Sequence, residues 1–160
     1  LITSGGLGSM GFEVPAALGA KVGRPDKTVW SIAGDGGFQM TMCDLATAVE
    51  NNINVKFAIM NNGVLGMVHQ WQDFFYEKDY FSTVYTGNPD FVKLAEAYGI
   101  AGIRVSEKGQ VAEAIQQAME IPGPVIIDFV VKPDENVFPM IPAGESVHEM
   151  LEEPTPERTA

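Results

Sequence analysis

The sequence has little of what several classes of protein require. Its 160 residues include one cysteine, Cys43, which excludes an internal disulfide and a cysteine-based metal cluster, and which we expect to be a small buried hydrophobe. Lysine and arginine number 10 against 21 aspartates and glutamates, so nucleic-acid and membrane-surface binding are not expected. No apolar run approaches the roughly 20 residues that span a bilayer, and no signal peptide is visible. A globular domain remains.

Four nearly continuous apolar runs indicate strands, over residues 28–34, 55–61, 102–105 and 125–131. They do not alternate between apolar and polar residues, which is typical of strands covered on both faces, as in parallel sheets. Helical patterns separate them, around 12–23, 42–49, 65–76, 91–98 and 111–119. Asn88 and Pro89 are predicted as the N-cap and the first-turn proline of the fourth helix. This order predicts an α/β fold, a doubly wound parallel sheet flanked by helices.

Two motifs fall at predicted strand ends, where ligands bind in such sheets. Gly34-Asp35-Gly36-Gly37 ends the first strand, and Asn61-Asn62 ends the second. Glycines let a backbone approach a ligand closely, and the N–H groups of the helix that follows favour a phosphate. A carboxylate would repel that phosphate unless a cation lay between them, so Asp35 suggests Mg²⁺. Asn62 and the Val64 carbonyl would add the neutral oxygen ligands that Mg²⁺ accepts. Either motif alone is equally typical of an ordinary turn.

Together the motifs match the signature of thiamine-diphosphate-dependent enzymes, a GDG triplet followed by paired asparagines. The stretches "TSGGLGSMGFEVPAALGA", "GDGGFQMT", "NNGVLGMVHQWQDFFYE" and "NPDFVKLAEAYGI" resemble the cofactor-binding C-terminal domain of the acetolactate synthase (acetohydroxyacid synthase) catalytic subunit. The resemblance covers about residues 1–150. It implies a thiamine-diphosphate-binding fold, and decarboxylation of pyruvate with carboligation to a second 2-keto acid. The products would be acetolactate or acetohydroxybutyrate, in branched-chain amino acid biosynthesis, with a cytoplasmic location in a bacterium and an unknown one if the enzyme is organellar.

The resemblance also assigns residues. Mg²⁺ would be held by Asp35, Asn62 and the main-chain carbonyl of Val64. Met10 would be the wedge that bends the cofactor, and Trp71 the residue linked to 2-ketobutyrate as second substrate. His69 and His148 receive no acid–base role. The cofactor-binding set is Gly8, Met10, Gly34, Asp35, Gly36, Gly37, Asn62 and Met67, and the substrate channel is lined by Met67, Val68 and Trp71.

Some features depart from the family pattern or are missing. Glu13 stands where the family usually has glycine, and Gly37 replaces a frequent serine or alanine. The activating glutamate of the family lies in its N-terminal domain, and the FAD-binding domain is also absent, so the 160 residues are expected to be an inactive fragment of a longer chain. We predict a cofactor-binding domain over 1–142 and a flexible acidic tail over 143–160. The resemblance implies a homodimer or tetramer, with a regulatory small subunit as a further partner.

Two other functions remain open. The first is another thiamine-diphosphate enzyme, such as a pyruvate oxidase, glyoxylate carboligase or 2-keto acid decarboxylase, against which "GMVHQWQ" argues. The second is a non-catalytic nucleotide-binding or interaction module. Product analysis of the intact protein separates the first from acetolactate synthase, and an effect of thiamine diphosphate on its stability excludes the second.

Overall fold

The computed structural model describes residues 1–153, which form one parallel sheet with helices on both faces. The strands are β1 Val29–Gly34, β2 Val55–Asn61, β3 Ala101–Val105 and β4 Val125–Val130. The α-helices are α1 Glu13–Gly23, α2 Asp35–Thr41, α3 Leu45–Glu50, α4 Gly66–Phe75, α5 Phe91–Ala97 and α6 Val111–Glu120. Single 3₁₀ turns lie at Met42–Asp44, Lys108–Gln110 and Val147–Glu149. The predicted α/β class and all four strands are confirmed.

The four strands lie in the order β1-β2-β4-β3, and every pair is parallel. The two central strands are almost wholly buried, which explains their unbroken apolar sequences. Gly34 pairs with Met60, and Asn61 pairs with Val130. The carboxyl ends of β1, β2 and β4 therefore form one edge, and the two predicted motifs leave the sheet side by side there.

Alternation along β2 divides the core into two clusters. Val55, Phe57 and Ile59 face the cluster formed with α1, α2, α3 and α5, whereas Ala58 faces the cluster formed with α6. Phe38 of α2 is fully buried at the centre of the first cluster and makes edge contacts with the rings of Phe57 and Phe91. These contacts fix α2, and with it the backbone that begins at Asp35.

Two local predictions around the second helix are wrong. The single helix expected around 42–49 is interrupted by the 3₁₀ turn at Met42–Asp44, and its buried positions are Leu45 and Ala48. Cys43 lies in that turn and is exposed, so it is not a buried hydrophobe. Leu45 is fully buried, whereas Val49 near the end of the expected helix is exposed.

The C-terminal segment packs on the domain as far as it is described. Gln70 of α4 accepts a hydrogen bond from the N–H of Val137 at 2.7 Å and donates to the Val137 carbonyl at 3.1 Å. Met140 and Leu151 exchange two backbone hydrogen bonds as an isolated bridge. Residues 154–160 of the predicted flexible tail lie outside the described residues, and the boundary at 142 stays a prediction. No helix within 1–153 has the length and apolar character needed to cross a membrane.

Candidate functional site

A cavity of about 500 Å³ opens at the carboxyl edge of β1 and β2. All eight residues predicted to bind the cofactor line it: Gly8, Met10, Gly34, Asp35, Gly36, Gly37, Asn62 and Met67. Val64 and Val68 line it as well, so the predicted metal set and two of the three channel residues are also brought together. Trp71 is the exception, since it lines a second cavity of about 710 Å³ that shares Val68 with the first.

Asp35 is the most deeply buried polar side chain of the site, with 1% of its surface exposed. It follows the last residue of β1, and three donors hold its carboxylate. Oδ1 accepts from the N–H of Gly36 at 2.9 Å. Oδ2 accepts from the N–H of Gly63 at 2.8 Å and from Nδ2 of Asn88 at 2.6 Å. The charge is thus fixed in place at the cavity wall, without a basic partner among these three.

The turn after β2 presents the other two predicted metal ligands. Gly63 has φ +71°, a conformation that glycine adopts without strain, and Asn62 Oδ1 accepts from the N–H of Val64 at 3.2 Å across it. The segment around Tyr85 pins the turn, because the N–H of Tyr85 donates to the Gly63 carbonyl at 2.8 Å and Val64 bridges Val84. Asn62 and Val64 consequently reach the same cavity as Asp35.

The two neighbouring asparagines have different surroundings. Asn62 lines the cavity, whereas Asn61 is absent from the lining. Asn61 donates through Nδ2 to Oδ1 of the fully buried Asp128 at 2.9 Å and accepts from Asn88 Nδ2 at 3.1 Å. Asn61 therefore ties the end of β2 to β4, and Asn62 is the member available to a ligand.

Gly36 and Gly37 are positions where a side chain would collide with the walls of the cavity. A Cβ on Gly36 would meet the hydroxyl of Tyr85 and lie 3.1 Å from Cε of Met10. A Cβ on Gly37 would meet the Glu13 carboxylate. The absence of a side chain at Gly36 and Gly37 thus lets Tyr85, Met10 and Glu13 pack directly against the backbone at the start of α2. Burial raises the pKa of the Tyr85 hydroxyl, and the nearby charge of Asp35 adds to the rise.

The lining of this cavity is acidic. Asp35 and Glu13 contribute carboxylates, and no lysine or arginine of the described chain is among the lining residues. A phosphate group could enter such a site only with a cation to offset the repulsion. No cluster of three or more His, Cys, Asp or Glu side chains that could hold a metal occurs within 1–153. A metal here would instead use one carboxylate with amide and main-chain oxygens, a hard donor set that fits Mg²⁺.

Helix α4 carries the predicted channel residues along one side. Met67 and Val68 are half exposed at its first turn, and the Trp71 ring packs on Phe75 with centroids 5.1 Å apart. His69 is buried and stacks on Tyr80 with ring centroids 4.1 Å apart. His148 lies exposed in the C-terminal 3₁₀ turn.

Sequence reasoning missed Asn88. It was expected to cap α5, but the cap is Asp90, whose carboxylate accepts from the N–H groups of Val92 and Lys93 at 3.1 and 3.2 Å. Pro89 accordingly precedes the helix and is not in its first turn. Asparagine and aspartate are both good caps, so the sequence offered no basis for choosing between the two positions. Asn88 is left free to reach Asp35 across the site.

A parallel sheet whose carboxyl edge holds an acidic, glycine-lined cavity defines an α/β cofactor-binding domain. Residues 1–129 match the family described as thiamine pyrophosphate enzyme, C-terminal TPP binding domain, and the chain belongs to that family. The thiamine-diphosphate-binding fold that the motifs predict is therefore confirmed.

Individual relatives confirm the resemblance to acetolactate synthase. The large subunit of that name from Corynebacterium glutamicum is 53% identical over 150 residues, which cover 91% of this chain and 24% of that protein. The isozyme 2 large subunit of Escherichia coli is 44% identical over 151 residues, covering 94% and 28%. The mitochondrial catalytic subunit of Aspergillus candidus is 45% identical over 151 residues, covering 94% and 22%. The chain thus spans about a quarter of the length of these relatives.

Proposed function

We propose that this chain is the cofactor-binding part of an acetolactate synthase that binds thiamine diphosphate through Mg²⁺. The whole enzyme would decarboxylate pyruvate and join the remaining two-carbon unit to pyruvate or 2-ketobutyrate, for branched-chain amino acid biosynthesis. One observation carries the proposal: all eight predicted cofactor-binding residues line one cavity, whose described lining holds a fixed carboxylate and no lysine or arginine. Homology to acetolactate synthase large subunits over more than 90% of the chain supports the choice of reaction.

The residues at the carboxyl edge fit a metal–diphosphate group. Asp35, Asn62 and the Val64 carbonyl would hold Mg²⁺, and the N–H of Gly37 would donate to the diphosphate, whereas the N–H of Gly36 is already used by Asp35 Oδ1. The acidic lining favours a cation, because no lysine or arginine among the described lining residues offsets the charge of a diphosphate. Metal and cofactor should therefore bind cooperatively.

The remaining part of the cavity would hold the rings and the substrate. Thiamine diphosphate, when bound, supplies the nucleophilic carbon that permits loss of CO₂ from a 2-keto acid. Met10 packs over Gly36 and stands half exposed at the cavity, where it can hold the cofactor in a bent shape. Met67 and Val68 continue the wall toward Trp71, which would contact the second keto acid.

Product analysis of the intact protein tests the reaction. With thiamine diphosphate, Mg²⁺ and pyruvate we expect acetolactate, and with added 2-ketobutyrate we expect acetohydroxybutyrate. Acetaldehyde, acetyl phosphate or tartronate semialdehyde as the main product would instead favour another enzyme of the family. The 160-residue chain alone should form no acetolactate, because the activating glutamate of the family has no counterpart in it.

Other expected parts of the whole enzyme are also proposals. They are a bound FAD, a homodimer or tetramer of catalytic subunits, and a regulatory small subunit. Flavin absorbance of the purified intact protein and its mass in solution check the first two. If neither thiamine diphosphate nor Mg²⁺ changed the melting temperature of the intact protein, a non-catalytic module would be favoured instead.

A further inference from the structure

Asn88 is held in one orientation beside the predicted metal ligand. Its Nδ2 donates to Asp35 Oδ2 at 2.6 Å and to Asn61 Oδ1 at 3.1 Å. Its Oδ1 accepts from Nε2 of Gln39 at 3.1 Å. Because the donor end and the acceptor end both have partners, turning the amide over would break all three hydrogen bonds.

These contacts distinguish the two oxygens of Asp35. A carboxylate oxygen has two lone pairs, and Oδ2 uses both, for the N–H of Gly63 and for Asn88. Within residues 1–153, Oδ1 accepts a single hydrogen bond, from the N–H of Gly36, and so keeps one lone pair. A cation at this carboxylate therefore finds one free coordination position, on Oδ1.

The strand ends behind Asn88 are also anchored. Asp90, two residues later, caps α5 and accepts from Nη2 of Arg104 at 2.7 Å. Nε of the same guanidinium donates to Asp128 Oδ2 at 3.0 Å, and Asp128 accepts in turn from Asn61. Asn88 is thus tied to β2, β3 and β4 through a continuous set of hydrogen bonds, so that it can hold Asp35 still when a ligand binds.

We infer that Asn88 is a positioning residue that commits Asp35 to one-oxygen coordination and so favours Mg²⁺ over larger cations. The inference rests on the proposed function. Mg²⁺ requires a compact octahedron, in which a carboxylate supplies one oxygen, whereas Ca²⁺ takes six to eight oxygens and accepts both from one carboxylate. With Asn88 occupying Oδ2, the two-oxygen mode is closed.

The test compares Mg²⁺ and Ca²⁺ as partners of thiamine diphosphate. Intact protein is freed of metal and cofactor, and each cation is titrated at fixed thiamine diphosphate while cofactor binding is followed by tryptophan fluorescence or calorimetry. Asn88→Leu removes the carboxamide and keeps a side chain that branches at the same carbon. We expect its Mg²⁺ affinity to fall about 10- to 100-fold, the usual effect of losing a partner of a metal ligand. Its Ca²⁺ affinity should fall much less, so the Ca²⁺/Mg²⁺ affinity ratio rises.

Asn136→Leu is the matched control. It removes the same type of bond, from an asparagine Nδ2 to an aspartate, at Asp73 away from the cavity, and should leave both affinities unchanged. If Asn88→Leu does not fold, Gln39→Leu releases the Asn88 amide while leaving the Asp35 bonds possible, and should shift the ratio in the same direction by less.

Three outcomes decide the matter. A raised Ca²⁺/Mg²⁺ ratio in the Asn88 or Gln39 variant supports the inference. Equal losses for both cations, or no loss, would overturn it, because a purely structural residue does not change selectivity. Failure of the unsubstituted protein to bind thiamine diphosphate with either cation would contradict the proposed function itself, and the inference with it.

Discussion

Two buried charged side chains lie at opposite ends of the β1–β2 pair, and they differ in what their hydrogen bonds leave unused. Lys56, near the start of β2, is 3% exposed and donates to the carbonyls of Ile121 and Gly123 at 2.8 and 2.7 Å. Asp35, after the end of β1, is 1% exposed but lines a cavity and keeps a free lone pair. These bonds place the Lys56 ammonium group at the C-terminal end of α6, where a cation is favoured. Lys56 is not among the residues that line the cavity at the carboxyl edge. Burial alone therefore does not show that a charged side chain binds a ligand. A better sign is a lone pair that remains available beside a cavity.

The largest effect that separates the roles of Asp35 and Lys56 is expected from Asp35→Ala in the intact protein. Removal of the one carboxylate of the proposed metal set should weaken Mg²⁺-dependent binding of thiamine diphosphate by at least about 100-fold. Calorimetric titration of thiamine diphosphate with and without Mg²⁺ measures this. Lys56→Met is the control, because it removes an equally buried charge and should leave cofactor affinity unchanged. Unaltered affinity in Asp35→Ala would refute the metal assignment.

A second test concerns the hydrogen bonds of Arg104, which anchor the strand ends beside the site. Arg104→Met leaves Asp128, which is fully buried, with the Asn61 amide as its remaining donor. Loss of a charged hydrogen bond to a buried carboxylate should lower the free energy of unfolding by about 2 kcal/mol, measured by urea titration. Arg24→Met is the matched control, because its partner Asp26 is exposed and such a surface pair contributes little to stability. Equal losses in the two variants would contradict the support role.

The same variant has a pH signature. The Arg104 guanidinium lowers the pKa of the Asp90 carboxyl below its ordinary value of 3.8, and the α5 N–H groups add to this. A carboxyl whose folded-state pKa is depressed contributes stability above its unfolded pKa and loses it as pH falls through the folded value. The difference in free energy of unfolding between the unsubstituted protein and Arg104→Met should therefore become smaller below about pH 4. A difference that stayed constant in acid would exclude the Asp90 contact as its source.

The fold was largely readable from the sequence, and the reason is visible in β2 and β4. Strands covered on both faces carry unbroken apolar runs, so their bounds matched the prediction to within one residue. The region around Cys43 was not readable, because the 3₁₀ turn at Met42–Asp44 has no marker in the local sequence and interrupts the helix. The hydrophobic periodicity of a short segment does not predict an interruption of a helix that is caused by tertiary packing.

From residue patterns alone, the site could be predicted where its residues directly follow a strand, whereas Met10 and Met67 were assigned to it only through the family resemblance. Asp35 and Asn62 follow β1 and β2 directly, so topology alone predicts that they meet. Asn88 and Tyr85 come from the long connection after α4, and their approach to Asp35 and Gly36 depends on how that connection folds back. The tryptophan of α4, Trp71, was predicted from resemblance and lies one cavity further away. Residue patterns alone therefore predicted the site residues that directly follow a strand, but not those that come from the long connection after α4.

The contribution of Lys56 to stability is tested with Lys56→Met. Loss of two hydrogen bonds to the carbonyls after α6 should lower stability by about 1–2 kcal/mol, offset in part by the better burial of methionine. Burial, with Lys21 adding a smaller effect, lowers the pKa of Lys56 below 10.5. Between the folded pKa and 10.5 the unfolded chain binds more protons, so the unsubstituted protein should gain stability as pH rises through that window. Denaturant titrations should show no such rise in Lys56→Met.

The smallest expected effect concerns the two departures from the family pattern, Glu13 and Gly37, which the structure brings into contact. A Cβ at position 37 would meet the Glu13 carboxylate, whereas its next neighbour, the Gly11 nitrogen, would lie at an ordinary 3.5 Å. Gly37→Ala should therefore cost about 1 kcal/mol with Glu13 present, because the carboxylate must move. In a Glu13→Ala background the same change should be neutral or stabilising, since alanine favours the helix by up to about 1 kcal/mol.

A double-mutant cycle in urea measures this coupling. Purely additive effects would show that the two positions vary independently and that their contact carries no energy. A coupling of about 1 kcal/mol would show that the glycine at 37 accommodates the acid at 13.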